Sequence, residues 1–119
     1  MSIRIAGPLV LPLAGLLATS AIAQTQEGMA SFYSDKLEGK KTASGQPYDK
    51  SALTASHKKL PYGTKVQVTN LANSKSVVVT VNDRMAQSNK SVIELSRKAA
   101  EELDMTKAGK AKVKLEVQK

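Results

Sequence analysis

The chain has 119 residues, room for a single domain, with no cysteine and one histidine. Eighteen Lys and Arg against ten Asp and Glu leave a formal charge of +8, which suits anionic partners such as cell-wall polymers or lipid headgroups. The same inventory excludes a disulfide framework and the usual zinc-ligand spacings, and its four aromatic residues argue against nucleic acid as a partner.

Met1 to Ala23 have the form of a cleavable export signal. Arg4 precedes an apolar stretch from Ile5 to Leu17, and Ala21-Ile22-Ala23 is the small-x-small pattern that signal peptidase prefers. Gly7, Pro8, Pro12 and Gly15 interrupt the stretch, which is short for a membrane span, so cleavage after Ala23 is expected over retention as an anchor. No cysteine follows to carry a lipid, so no stable membrane anchor is expected after cleavage. The expected organisation is a signal peptide at 1–23 and one domain at 24–119, secreted or periplasmic, with a charge of about +7 once Arg4 is removed.

Beyond a polar lead from Gln24 to Glu27, Met29 to Tyr33 is a plausible first strand. Lys36 to Lys50 is rich in turn-formers (Gly39, Ser44-Gly45, Pro47, Asp49), which makes a surface loop long for so small a domain. Ala52 to Ala55 forms a short strand or turn, and Leu60-Pro61-Tyr62-Gly63 is a break. Thr64 to Asn70 alternates polar and apolar residues as a strand with one wet face. A hairpin-length link, Leu71 to Lys75, joins it to Ser76–Val81, whose β-branched run has the composition of a strand buried on both faces. Met85 to Lys90 is a polar loop, Val92 to Leu95 a short strand, and Ser96 the N-cap of a helix through Leu103. Lys112 to Val117 alternates strictly as a final strand. About six short strands and one helix make a mainly-β domain, consistent with a closed or nearly closed barrel.

No GxGxxG or P-loop segment occurs, and no serine stands in a nucleophile elbow, so neither a nucleotide cofactor nor triad chemistry is supported. What remains is the lone His57 and a set of carboxylates. Asp83 and Glu94 stand out, because each follows an apolar run and so lies near the barrel wall. A carboxyl held in a partly apolar wall has its pKa raised, as a general acid requires, and paired carboxyls suit glycoside cleavage. Two blander readings stay open: Asn82-Asp83-Arg84 as a turn, and Asp83 as a structural carboxylate paired with Arg84 or with backbone amides.

Five ordered blocks resemble the RlpA-type (rare lipoprotein A) double-psi β-barrel family. They begin with Gly28-Met29-Ala30-Ser31-Phe32-Tyr33, Lys41-Thr42-Ala43-Ser44-Gly45-Gln46-Pro47-Tyr48-Asp49 and Leu53 to Thr64 with Thr54-Ala55-Ser56-His57. Val66 to Leu71 with Val77 to Arg84, and Ile93-Glu94-Leu95-Ser96 through Ala100, complete the set. The resemblance runs from Gly28 to Val117. It implies a six-stranded double-psi β-barrel with one short helix, and a lytic transglycosylase (a lyase) acting on peptidoglycan strands stripped of stem peptides. No cofactor or metal is implied. A wall amidase that supplies stripped strands is a further partner it suggests. It assigns catalysis to Asp83 and His57. This chain departs from the family pattern at Gln46 in place of glutamate, at Met85-Ala86 in place of Gly-Pro, and at Glu94 in place of aspartate.

On this reading Asp83 protonates the oxygen linking MurNAc to GlcNAc, then takes the proton from the C6 hydroxyl as a 1,6-anhydro ring closes. His57 orients or tunes Asp83, or binds the sugar. Gln46, Asn82, Thr42 and Ser44 are candidates for glycan hydrogen bonds, with Glu94 beside them, and Tyr33 or Tyr48 for stacking on a sugar face. The competing reading is a non-catalytic, expansin-like wall-binding module; a secreted inhibitor on the same barrel leaves no positive trace in the residues.

Overall fold

Period-two alternation of apolar residues builds six strands around one core. In the computed structural model, which describes residues 25–118, they are β1 (Thr25–Phe32), β2 (Thr54–His57), β3 (Lys65–Asn70), β4 (Ser76–Arg84), β5 (Ile93–Leu95) and β6 (Ala111–Val117), with one helix, α1 (Arg97–Glu102). The expected signal peptide lies outside the described residues.

The strands close into a barrel in the order β1-β5-β2-β4-β3-β6. Two neighbouring pairs are parallel, β1 with β5 and β2 with β4, and the others antiparallel. Alternate residues point inward: Ala30, Ala55, Val66, Val68, Val79, Val81, Ile93, Leu95 and Val113 are each fully buried. Each fully buried Val, Leu or Ile contributes about 1.5–3 kcal/mol, and closure removes the sheet edges that would otherwise need protection.

Two expectations are corrected. The β-branched run in β4 is buried on one face only: Val77, Val79 and Val81 are core, whereas Val78 is 41% exposed. Barrel strands have a single interior face, so an unbroken β-branched run does not require two buried ones. The polar lead is also not a tail. From Thr25 it forms the first half of β1, paired with β6 as Thr25↔Glu116 through Ala30↔Ala111.

Ser96 caps α1 as its sequence implies: its Oγ accepts from Ala99 N at 3.3 Å and donates to Ala52 O at 2.6 Å. Ala99, Ala100 and Leu103 seat the helix in the core. Backbone amides of Leu103, Met105 and Asp104 meet the carbonyls of Ala99, Ala100 and Glu101, and just past the helix Asn70 Nδ2 and Asn73 Nδ2 both donate to Leu103 O.

Candidate active site

A single extra residue decides where Asp83 points. Val77, Val79 and Val81 face the core, so regular alternation along β4 would send Asp83 inward as well. The pairing with β2 slips instead. Ala55 opposes Val81, yet the next residue, Ser56, opposes Asp83, which leaves Asn82 as a bulge in β4. Ala55 is core and Ser56 alternates to the outer face, and Asp83 follows Ser56 outward. Ser56 also opposes Glu94, and Glu94 opposes Ser31. Ser31, Glu94, Ser56 and Asp83 therefore form one row across four adjacent strands. Bulges commonly re-aim a side chain beside an active site, and here the bulge brings two carboxyls onto one face.

Asp83 is held from three directions. Tyr33, just past β1, donates its hydroxyl to Oδ2 at 2.5 Å, while Ala43 N and Arg84 N each donate to Oδ1 at 2.8 Å. The Tyr33 ring stacks on Tyr48, with centroids 4.4 Å apart and planes 12° from parallel. Tyr48 anchors the loop: its hydroxyl accepts from Arg97 N, and its backbone pairs with Gly39 and Lys40. The loop tip turns at Thr42–Gln46, where Gly45 sits at φ +95°, a backbone region that side chains disfavour. That turn is what presents the Ala43 amide to Asp83.

The electrostatics are those of a crowded, partly buried face. Burial pushes the Glu94 carboxyl above the usual carboxylate range, and the nearby Asp83 charge pushes it further. Burial likewise raises the Tyr33 hydroxyl far above its ordinary value, helped by its bond to Asp83; a bond to Ser56 opposes this. Tyr33 therefore stays protonated as a donor. The Arg84 guanidinium does not pair with Asp83: it donates to His57 O at 2.9 Å and lies over the Tyr62 ring at 4.7 Å.

The structure does not bring His57 to Asp83. In β2 the ring shares the inward face with Ala55, and His57 pairs with Arg84, not with Asp83. Nδ1 accepts from Lys59 N and Leu60 N, and Nε2 meets Gln26 Oε1 at 3.1 Å. Nδ1 accepts two amides, so the ring is neutral with its proton on Nε2. Burial lowers its pKa, and Arg84, Lys58 and Lys59 lower it further. The imidazole lines a separate cavity of about 490 Å³ with Gln26, Leu60, Val92, Leu115 and Val117. Its link to Asp83 runs through the backbone, because His57 O accepts from the Arg84 guanidinium and from Met85 N.

The remaining candidates divide. Asn82 Nδ2 donates to Gln46 Oε1 at 3.3 Å, so these two stand together beside Asp83. Thr42 is buried and spends its hydroxyl inside the loop, donating to Gln46 O at 2.7 Å, with Ser44 Oγ 3.0 Å away. Sugar stacking by Tyr33 or Tyr48 does not fit rings only 5% and 2% exposed that stack on each other. Sequence reasoning missed Ser56 and the Ala43 amide. The signal for Ser56 was its place two residues before Lys58 in an alternating Thr54–His57 segment; the amide had none. Among the described residues, no three His, Cys, Asp or Glu side chains are grouped to hold a metal ion.

The chain and its barrel have relatives among known proteins. The family model described as "Lytic transglycolase" matches residues 25–115, and the chain belongs to that family. It is 47% identical over 97 residues to the endolytic peptidoglycan transglycosylase RlpA of Campylobacter jejuni, covering 82% of this chain and 35% of that protein. The protein of the same name from Rickettsia bellii is 50% identical over 95 residues, 77% of this chain and 42% of its own length. This chain thus spans well under half of either relative. Two solved structures share the double-psi barrel fold. The Streptomyces papain inhibitor (SPI) gives a TM-score of 0.65 at 22% identity, over 81% of this chain and 96% of its own. A Clavibacter michiganensis expansin in complex with cellohexaose gives 0.65 at 20% identity, over 80% of this chain and 50% of its own.

Proposed function

We propose that this chain is the cutting domain of a lytic transglycosylase, which breaks the MurNAc–GlcNAc bond of peptidoglycan strands and leaves 1,6-anhydro-MurNAc ends. The observation that carries the reading is Asp83: turned outward by the Asn82 bulge, gripped by Tyr33, Ala43 and Arg84, and set in one row with Glu94.

An acid/base needs a fixed position and a partner that can follow its proton. The Tyr33 hydroxyl donates to the Asp83 carboxylate and can accept from the acid form, whereas the two backbone amides can only donate. In its acid form Asp83 protonates the glycosidic oxygen as the C1–O bond breaks and C1 gains oxocarbenium character. The carboxylate so formed takes the proton of the C6 hydroxyl, whose oxygen closes on C1. No water is consumed. Asn82 and Gln46, paired beside the carboxyl, bind sugar hydroxyls. His57 acts as a positioning residue: its ring braces the turn at 57–60, and its carbonyl holds Arg84 and Met85 directly behind Asp83. The favoured substrate is a strand already stripped of stem peptides, with a wall amidase supplying it. The signal-like pattern of the sequence at 1–23 supports work outside the cytoplasm, in the periplasm or beyond.

The test is incubation of the protein with denuded glycan strands, followed by mass spectrometry for 1,6-anhydro ends. Asp83→Asn is expected to lower their release by roughly 10²–10⁴-fold. Wild-type protein that releases none, or an Asp83→Asn variant as active as wild type, overturns the proposal. A carboxylate saturated by three donors also suits a wall-binding module that does not cut. Retention on insoluble peptidoglycan with no soluble sugar released would establish that second reading.

A further inference from the structure

Resting on the function proposed above, we propose that Glu94 and Asp83 share one proton, which rests on Glu94 between turnovers and passes to Asp83 for each cut. Ser56 is the direct partner of both residues, so their backbones stand two strand spacings apart, roughly 9–10 Å, on the same outer face. Ser56 lies on that face between them, and the Tyr33 hydroxyl donates to Asp83 Oδ2.

The two carboxyls are unequally served. Asp83 takes three donors, whereas among the described residues no donor or cation lies within hydrogen-bond or ion-pair distance of the Glu94 carboxyl. One negative charge shared by such a pair belongs where the donors are, and one proton belongs on the other member. The groups facing Glu94 are Ser31 and Tyr33 from the β1 side, Ser56 from β2 and Asp83 from β4. None of them is positively charged. Half burial and the Asp83 charge both work against ionising Glu94, in agreement with this placement.

The proton count closes over one cycle. Glu94 releases its proton to Asp83, which delivers it to the leaving O4 as C1–O4 breaks. Asp83 then removes the C6 hydroxyl proton as C6–O–C1 forms, and that proton returns to Glu94. The pair ends with the single proton it began with, and no external reagent is used. In this scheme Asp83 is the catalytic residue, while Glu94 acts through it.

The test compares wild type, Glu94→Gln and Glu94→Asp in the pH dependence of 1,6-anhydro release. Without the Glu94 charge and proton store, Glu94→Gln should lose roughly 10²-fold at neutral pH, and its alkaline limb should move to lower pH. Glu94→Asp should recover part of the rate with a bell-shaped profile. A second readout needs no activity. A carboxyl whose folded pKa is raised costs stability as pH rises through that value, so Glu94→Gln should be more stable than wild type at pH 7 to 8. That gain should vanish below the ordinary carboxylate pKa. An active wild type with an unchanged pH profile in Glu94→Gln overturns the inference and leaves the proposed function standing. An inactive wild type removes the function, and a Glu94→Gln stability gain that does not vary with pH overturns the proton placement on its own.

Discussion

Gly28 is expected to be irreplaceable for a reason confined to one neighbour. It lies in β1 opposite Val113, and a Cβ added there would stand 2.4 Å from Val92 Cγ1 and 3.1 Å from Cγ2. Carbon atoms pack comfortably at about 3.5–4.0 Å, so the two groups must part by about 1 Å. Val92 cannot easily give way. Its branched side chain has few rotamers, and its amide donates to Met29 O at 2.9 Å, which ties it to the strand that carries Gly28. Overpacking of this kind costs about 1–3 kcal/mol, offset by the roughly 0.5–1 kcal/mol that alanine gains over glycine in a strand interior. The net loss for Gly28→Ala is about 1–2 kcal/mol, or roughly 5–15 °C in Tm for a domain of this size. The assay is thermal unfolding of Gly28→Ala, Val92→Ala and the double variant. Val92→Ala opens the space, so the double variant should be no less stable than Val92→Ala alone, a favourable coupling of about 1–2 kcal/mol. Simple additivity of the two losses, or a Gly28→Ala variant as stable as wild type, would refute the steric account.

Tyr33→Phe keeps the stack on Tyr48 and removes only the donor to Asp83 Oδ2. A hydrogen bond to a charged group is worth about 1.5–3 kcal/mol, so 1,6-anhydro release should fall at least tenfold while the folded signature in circular dichroism persists; full retention of rate would count against Asp83 as the acid/base. For His57 the folded pKa is lowered by burial and by Arg84, Lys58 and Lys59, so the unfolded chain takes up a proton first, near the ordinary pKa of about 6.5. Its contribution to stability is complete above that pH and is lost progressively below it. Urea unfolding between pH 7.5 and 5 should therefore show a steeper decline in wild type than in His57→Gln, and identical slopes would show that the imidazole is not held neutral.

Much of the barrel is written in local pattern. Lys65–Asn70 and Ala111–Val117 alternate apolar and polar residues and do pair with each other, and Ser96 starts the helix that its hydroxyl and the following Ala99 and Ala100 imply. The link at 71–75 joins an antiparallel pair, β3 and β4, as hairpin length requires. Local pattern fails where partners are distant. Nothing near Asn82 announces a bulge, because a bulge is a property of the pairing between β2 and β4. Tyr33 and the Ala43 amide reach Asp83 across separations of 50 and 40 residues, and no periodicity carries that information.

The coupling of Asp83 to His57 fails for the same reason, and its failure says what the bulge does. Strand β2 alternates, so Ser56 and His57 must face opposite ways. Were Asn82 paired with Ser56 in regular register, Asp83 would pair with His57 and share its inward face, a carboxylate and an imidazole in the barrel end with Gln26. With the slip, Asp83 faces out beside Ser56, Tyr33 and Glu94, and His57 stays inside to brace the turn behind it. The register slip at Asn82 thus exchanges a buried His–Asp pair for two half-buried carboxyls on the outer face. A charge that would have been costly inside the barrel stands instead on its outer face, held by three donors.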